Sequence, residues 1–76
     1  MARAFIMVKI DAGHAEERRH DIAEFDGVTA AHVVAGEYDL IVEAERPEVY
    51  DLMQTVATEI RGLDGVIDTK TYVCLE

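Results

Sequence analysis

The chain has 76 residues, which is enough for one domain and too few for two. It carries 16 acidic residues against 7 lysines and arginines, and a net charge of −9 opposes direct binding to a phosphate backbone. Its single cysteine excludes an intrachain disulfide, and no apolar run approaches the ~18 residues that span a bilayer, so a cytoplasmic protein is expected.

The residue pattern of the first half of the chain predicts a strand, a helix and a second strand. Apolar residues on both alternating sets predict a strand over residues 3–10. A weaker apolar pattern with many charged residues predicts a helix over residues 14–25. An Asp-Gly turn then leads into the second predicted strand, residues 28–35. This half therefore forms a βαβ unit.

The second half repeats that order. A short turn at Gly36 separates the second strand from a third, residues 38–44, so the two are expected to form a hairpin. Pro47 suits the first turn of a helix, and apolar residues recur at helical spacing from there to Leu63. The last predicted strand covers residues 66–75.

A repeated turn motif supports this order of elements. The run FDGV at residues 25–28 follows the first predicted helix, and LDGV at residues 63–66 follows the second. Two βαβ units joined by a hairpin predict an α+β fold of the ferredoxin-like βαββαβ type. Right-handed crossovers then place both helices on one face of a four-stranded antiparallel sheet. Residues 1–76 are expected to form this single domain.

The face of the sheet opposite the helices is also expected to be apolar. Four residues are predicted to lie there: Phe5, Met7, Ile41 and Val73. An exposed apolar patch of several hundred Å² is uncommon on a monomer, and domains this short often gain stability by association. A homodimer packed sheet to sheet is therefore predicted.

The sequence carries no strong catalytic or metal-binding motif. His14, His20 and His32 fall on a predicted loop, helix and strand without metal-ligand spacing. Cys74 has no basic neighbour in sequence that would activate its thiol. We therefore expect no catalytic residue, no metal and no cofactor. The local feature that stands out is Gly36-Glu37-Tyr38-Asp39, which from its composition alone is favoured simply to close the hairpin.

The run VVAGEYDLIV at residues 33–42 resembles the V-x-G-[DE]-[YF]-D-[LIV] signature of the Lrp/AsnC ligand-binding domain, also called the RAM domain. The opening strand AFIMVKI, the FDGV turn and the terminal GLDGVIDTKTYVCLE resemble the same family in order and spacing. The resemblance covers essentially all 76 residues. Family members usually have an N-terminal helix-turn-helix, whereas this chain begins at the first strand, so a stand-alone form is expected.

The resemblance implies a non-catalytic module of transcriptional regulation that binds a small molecule, most often an amino acid. It implies homodimers that gather into octamer or decamer rings, or that co-assemble with full-length Lrp/AsnC-type regulators. No direct contact with nucleic acid or membrane is expected. Carried over position by position, the implied effector-binding residues are Gly36, Glu37, Tyr38, Asp39, Thr69 and Thr71.

Two alternatives share the predicted topology. A dimeric α+β barrel enzyme would need a reactive group aimed into a pocket, and His32 is the only histidine on a predicted strand. An amino-acid-binding domain of the ACT type would use a glycine near the first loop, where Gly13 lies. The acid-rich, lysine-poor composition is also typical of proteins adapted to high intracellular salt.

Overall fold

The computed structural model describes residues 1–75, apart from the side chains of residues 56 and 57. The elements in chain order are β1 (Ala2–Ile10), α1 (Ala15–Ala23), β2 (Val28–Val33), β3 (Leu40–Arg46), α2 (Val49–Gln54), a π-helical segment (Thr55–Ile60) and β4 (Val66–Val73). The sheet has the order β2-β3-β1-β4 with antiparallel neighbours throughout. The predicted ferredoxin-like fold is confirmed. In the described part of the chain, no helix has the length and apolarity needed to cross a membrane.

The core lies between one face of the sheet and the helices. Alternate residues of β1 and β3 are buried there, because successive side chains of a strand point to opposite faces. The helical segments contribute a leucine and two isoleucines to the same layer. Burying each such side chain contributes roughly 1.5–3 kcal/mol. The buried apolar residues are Ala4, Ile6, Val8, Ile10, Ile22, Leu40, Val42, Ala44, Leu52 and Ile60.

The two Asp-Gly turns have nearly the same geometry. Gly27 has φ 88° and Gly65 has φ 87°, a conformation that favours glycine. Each glycine carbonyl accepts a hydrogen bond of 2.8 Å, Gly27 from the N–H of Glu45 in β3 and Gly65 from the N–H of Asp11 directly after β1. The sequence repeat is therefore also a structural repeat.

These turns lie at opposite ends of the sheet. At one end Gly27 meets the last residues of β3, where Arg46 is paired with Ala2; we name this the Arg46 end. At the other end the Gly65 turn meets the end of β1, and the β2–β3 connection contacts β1 from its other side. We name this the hairpin end, and it comprises residues 8–11, 34–39 and 64–69.

The connection between β2 and β3 is longer than the predicted tight turn. β2 ends at Val33 and β3 begins at Leu40, so residues 34–39 form a loop, which the N–H of Val34 closes on the carbonyl of Asp39 at 2.9 Å. The N–H of Asp39 donates instead to Val8 of β1, at 2.9 Å. The strand predicted to begin at residue 38 therefore starts two residues later.

The second helix changes its hydrogen-bonding pattern partway along. The α-helical part, Val49–Gln54, continues as the π-helical segment Thr55–Ile60, whereas the sequence predicted one continuous helix. Arg46 donates from Nη1 to the buried hydroxyl of Thr55 at 2.9 Å, at the junction of the two parts. Apolar spacing identifies the buried side of a helix but does not distinguish these two backbone patterns.

The prediction that Val73 lies on the face opposite the helices is wrong. Val73 pairs with Ala4 and packs against the core, so it belongs to the helix-covered face. Tyr72, which pairs with Phe5, lies on the opposite face and is 57% exposed. Both alternating sets of β4 include apolar residues, and for that reason the sequence could not indicate which set faces the helices.

Candidate functional site

The β2–β3 loop is anchored to β1 through Asp39. Its carboxylate Oδ2 accepts a hydrogen bond of 2.8 Å from the N–H of Ile10, a residue only 5% exposed. Its own N–H donates to the carbonyl of Val8 at 2.9 Å. Asp39 therefore has a role in the fold, and Oδ1 is the atom through which its carboxylate could meet a ligand.

The rest of the loop is more accessible. Gly36 and Glu37 are exposed and Tyr38 is half-buried. Lys9 donates from Nζ to the backbone carbonyl of Glu37 at 3.0 Å, which leaves the Glu37 carboxylate out of this contact. An added Cβ at Gly36 would meet no atom within 4 Å, so packing within the chain does not require glycine there. The loop thus presents backbone and an acidic side chain to solvent.

Thr69 and Thr71 lie on β4, on the helix-covered face, paired with Val8 and Ile6 respectively. Since β1 runs between β3 and β4, Asp39 and Thr69 flank Val8 at roughly 10 Å from each other, which is two strand spacings. Thr71 lies about 7 Å farther along β4. The loop and Thr69 therefore lie on opposite sides of β1, with the buried Val8 between them, and Thr71 lies farther from the hairpin end.

A cleft of about 160 Å³ also opens at the hairpin end. Its lining residues are Asp11, His14, Arg18, Asp64 and Gly65. None of these residues is predicted from the sequence to form a site, although the Asp-Gly turn is recognisable there as a repeat. The six predicted effector residues form two groups, the β2–β3 loop and β4, on either side of β1.

Arg18 holds one wall of this cleft. Its guanidinium donates from Nη1 to Asp21 Oδ2 at 2.8 Å and from Nη2 to Glu17 Oε2 at 3.3 Å. Its Nε is a buried side-chain nitrogen that has no hydrogen-bond partner in the described part of the chain. These contacts lie along α1, so the arginine mainly braces the helix next to the cleft.

The sheet face opposite the helices, which we name the open face, has an apolar centre. β1 supplies Phe5 and Met7, which pair with Tyr72 and Lys70 on one side and with Glu43 and Ile41 on the other. Because directly paired residues of antiparallel strands share a face, the open-face apolar residues are Phe5, Met7, Ile41 and Tyr72.

Charged residues surround this apolar centre. Arg3 donates to Glu43 Oε1 at 3.3 Å, and its guanidinium lies 5.2 Å from the ring centroid of Phe5. His32 Nε2 lies 3.4 Å from the other oxygen of the same glutamate. The open face therefore presents an apolar patch with a partly neutralised polar border, a composition suited to a protein–protein contact.

The candidate reactive groups remain apart in the fold. His14 lies before α1, His20 on α1 and His32 on β2. Cys74 is half-buried, and its N–H donates to the Arg3 carbonyl at 2.8 Å. Within residues 1–75, no group of three or more His, Cys, Asp or Glu side chains is placed to hold a metal ion.

The family comparison agrees with this architecture. Residues 3–76 match the Lrp/AsnC ligand binding domain, and the chain belongs to that family. An HTH-type transcriptional regulator of Pyrococcus abyssi is 29% identical over 76 residues. That alignment covers 96% of this chain and 51% of the regulator, so the chain spans about half the length of the curated relatives it matches.

Solved structures show the same fold. The hypothetical protein PHS023 of Pyrococcus horikoshii is 34% identical, with a TM-score of 0.92 over 100% of this chain and 92% of that one. The protein FFRP-DM1 is 35% identical, with a TM-score of 0.93 over 99% of this chain and 100% of that one. A regulator of Neisseria meningitidis solved as an L-Met complex is 23% identical, with a TM-score of 0.84 over 99% of this chain and 50% of that one.

Proposed function

We propose that this chain is a non-catalytic amino-acid-binding and oligomerisation module that acts in transcriptional regulation. The observation that carries the proposal is the β2–β3 loop at the hairpin end, which is anchored by Asp39 and exposed at Gly36 and Glu37. The Neisseria regulator supports the choice of ligand class, because a protein of the same fold was solved with L-Met.

The chemistry of the loop suits a zwitterion. Asp39 Oδ1 and the Glu37 carboxylate are acceptors for a ligand ammonium group, and such charge-assisted bonds are about twice as strong as neutral ones. The Thr69 hydroxyl and the exposed loop N–H groups are donors for a ligand carboxylate. The space beside Gly36 would admit a ligand or a neighbouring chain close to the backbone.

Assembly belongs to the same proposal. The open face leaves Phe5, Met7, Ile41 and Tyr72 without cover from the helices, and a second copy packed sheet to sheet would bury them. A second dimer would then complete the walls around the hairpin end. By family resemblance, dimers gather into octamer or decamer rings, or co-assemble with full-length Lrp/AsnC-type regulators.

Thermal melting against the twenty amino acids at millimolar concentration, at low and at molar salt, tests the ligand. A ligand at 100 times its Kd stabilises the folded state by roughly 2.7 kcal/mol, a shift that melting detects readily. We expect Asp39→Asn to abolish the shift and Asp64→Asn, an acid at the same end of the sheet, to retain it. If the melting shift were lost in Asp64→Asn alone, the ligand would bind in the cleft and the loop site would be contradicted. If no amino acid shifted the melting temperature of the wild type, effector binding itself would be contradicted.

Light scattering coupled to size-exclusion chromatography tests the assembly. A dimer or a larger species at micromolar concentration is expected, and a monomer would refute self-association. Capture experiments with helix-turn-helix regulators of the family address co-assembly separately. Recovery of this chain alone would count against co-assembly and leave self-association intact.

A further inference from the structure

Charge is distributed unevenly over the surface of the chain. The strand register places six charged side chains on the open face: Arg3, Lys9, Lys70, Glu43, Glu45 and Asp68. Three are basic and three acidic, so the strand residues of the open face carry no net charge together. The chain has 7 basic and 16 acidic residues in total, which leaves 4 basic and 13 acidic residues elsewhere, and these carry the whole net charge of −9.

Four of these six charges also lie directly opposite a complementary charge. Arg3 is directly paired with Glu45 across β1 and β3, and Lys9 with Asp68 across β1 and β4. Oppositely charged residues at such positions are favourable, whereas like charges would be destabilising. Both lysines of the chain, Lys9 and Lys70, lie on this one face. A second copy approaching the face would therefore meet strand residues whose charges sum to zero.

We infer that the open face is a charge-neutral self-association surface on an otherwise repulsive molecule, and that its affinity depends only weakly on salt above physiological ionic strength. This rests on the self-association proposed above. Through the rest of its surface, the net charge weakens contacts between copies. The charge distribution thereby favours the open face for the first association of two chains, and any further association of dimers has to overcome the remaining repulsion.

Distances support the weak salt dependence. With roughly 10 Å between packed layers, the helical layers of two copies joined sheet to sheet would lie about 30 Å apart. The Debye length is about 8 Å at 0.15 M salt, so repulsion between the acidic helical layers is already largely screened there. Added salt would have little further repulsion to remove, because the interface itself is neutral.

Two charge-reversal variants distinguish the effect of where a charge lies from the effect of the total charge of the chain. Lys70→Glu changes the open face from neutral to −2, and Arg61→Glu makes the same change in total charge at an exposed residue outside the strands. We expect Lys70→Glu to weaken self-association at 0.15 M salt by roughly tenfold or more, since like charges brought together at an interface cost several kcal/mol. Molar salt should restore most of that loss, and Arg61→Glu should behave like the wild type.

Sedimentation equilibrium of the wild type and both variants, at 0.15 M and 1 M NaCl, gives the dissociation constants. The wild-type constant is expected to change by less than about threefold between the two salts. A tenfold change in the wild type would overturn the inference while leaving self-association in place, as would equal weakening by both variants. A wild type that is monomeric in both salts would instead refute the self-association on which the inference rests.

Discussion

Replacing Asp39 separates its role in the fold from its proposed role in binding. Asp39→Ala leaves the N–H of Ile10, a residue only 5% exposed, without its carboxylate acceptor. A buried donor left unpaired costs about 1–3 kcal/mol, and bonds to charged groups lie in the upper part of that range. We therefore expect a loss of roughly 2–3 kcal/mol for Asp39→Ala. Asp39→Asn retains an oxygen acceptor, and we expect it to lose less than about 1 kcal/mol.

Urea unfolding followed by circular dichroism measures both values, and hydrogen exchange at the Ile10 amide reports the bond directly. Glu37→Ala is the matched control, because the contact made by Glu37 is through its backbone carbonyl and the side chain is exposed; its effect should stay within about 0.5 kcal/mol. Equal losses in Asp39→Ala and Asp39→Asn would show that charge, and not the hydrogen bond, is responsible. No loss in Asp39→Ala would refute the anchoring role.

Two further substitutions test packing near Arg46, each with its own control. Gly27→Ala should cost more than Gly65→Ala in urea unfolding. Both incur about 1–2 kcal/mol for positive φ, but only at Gly27 would the Cβ overlap Arg46 Cδ and lie 2.9 Å from a backbone carbonyl of β3. Equal costs would contradict the packing. Thr55→Val should lose about 1.5–3 kcal/mol because the Arg46 guanidinium loses its acceptor, whereas Thr58→Val at an exposed site should stay within about 0.5 kcal/mol. A Thr55→Val protein as stable as the wild type would show that the bond contributes nothing.

The elements that depend on local sequence were predictable. Both alternating sets of β1 contain apolar residues, but the set from Ala4 to Ile10 is wholly apolar whereas the other includes Arg3 and Lys9, and this indicates the buried set. The repeated Asp-Gly turns mark where each helix returns the chain to the sheet. The order βαββαβ follows from these local signals, and the right-handed crossover rule then gives one helical layer. The open-face positions of Phe5, Met7 and Ile41 follow from the same alternation.

The features that depend on pairing between distant residues were not predictable. The side on which Val73 lies depends on how β4 pairs with β1, and that register includes an irregularity near the end of β1. The bond from Ile10 to Asp39 joins residues 29 positions apart, and no local pattern indicates it. The cleft at the hairpin end likewise combines Asp11 with the distant Gly65 turn.

The two glycine turns differ in how the rest of the chain packs around them. At the Arg46 end, the arginine side chain packs over Gly27 and reaches the buried hydroxyl of Thr55, so this turn is covered. At the hairpin end, a Cβ at Gly65 would have no neighbour nearer than 3.9 Å, and the turn borders a cleft. The structural repeat therefore places equivalent turns at both ends of the sheet, but the arginine covers only one of them. The Gly65 turn is the one that keeps open space beside it.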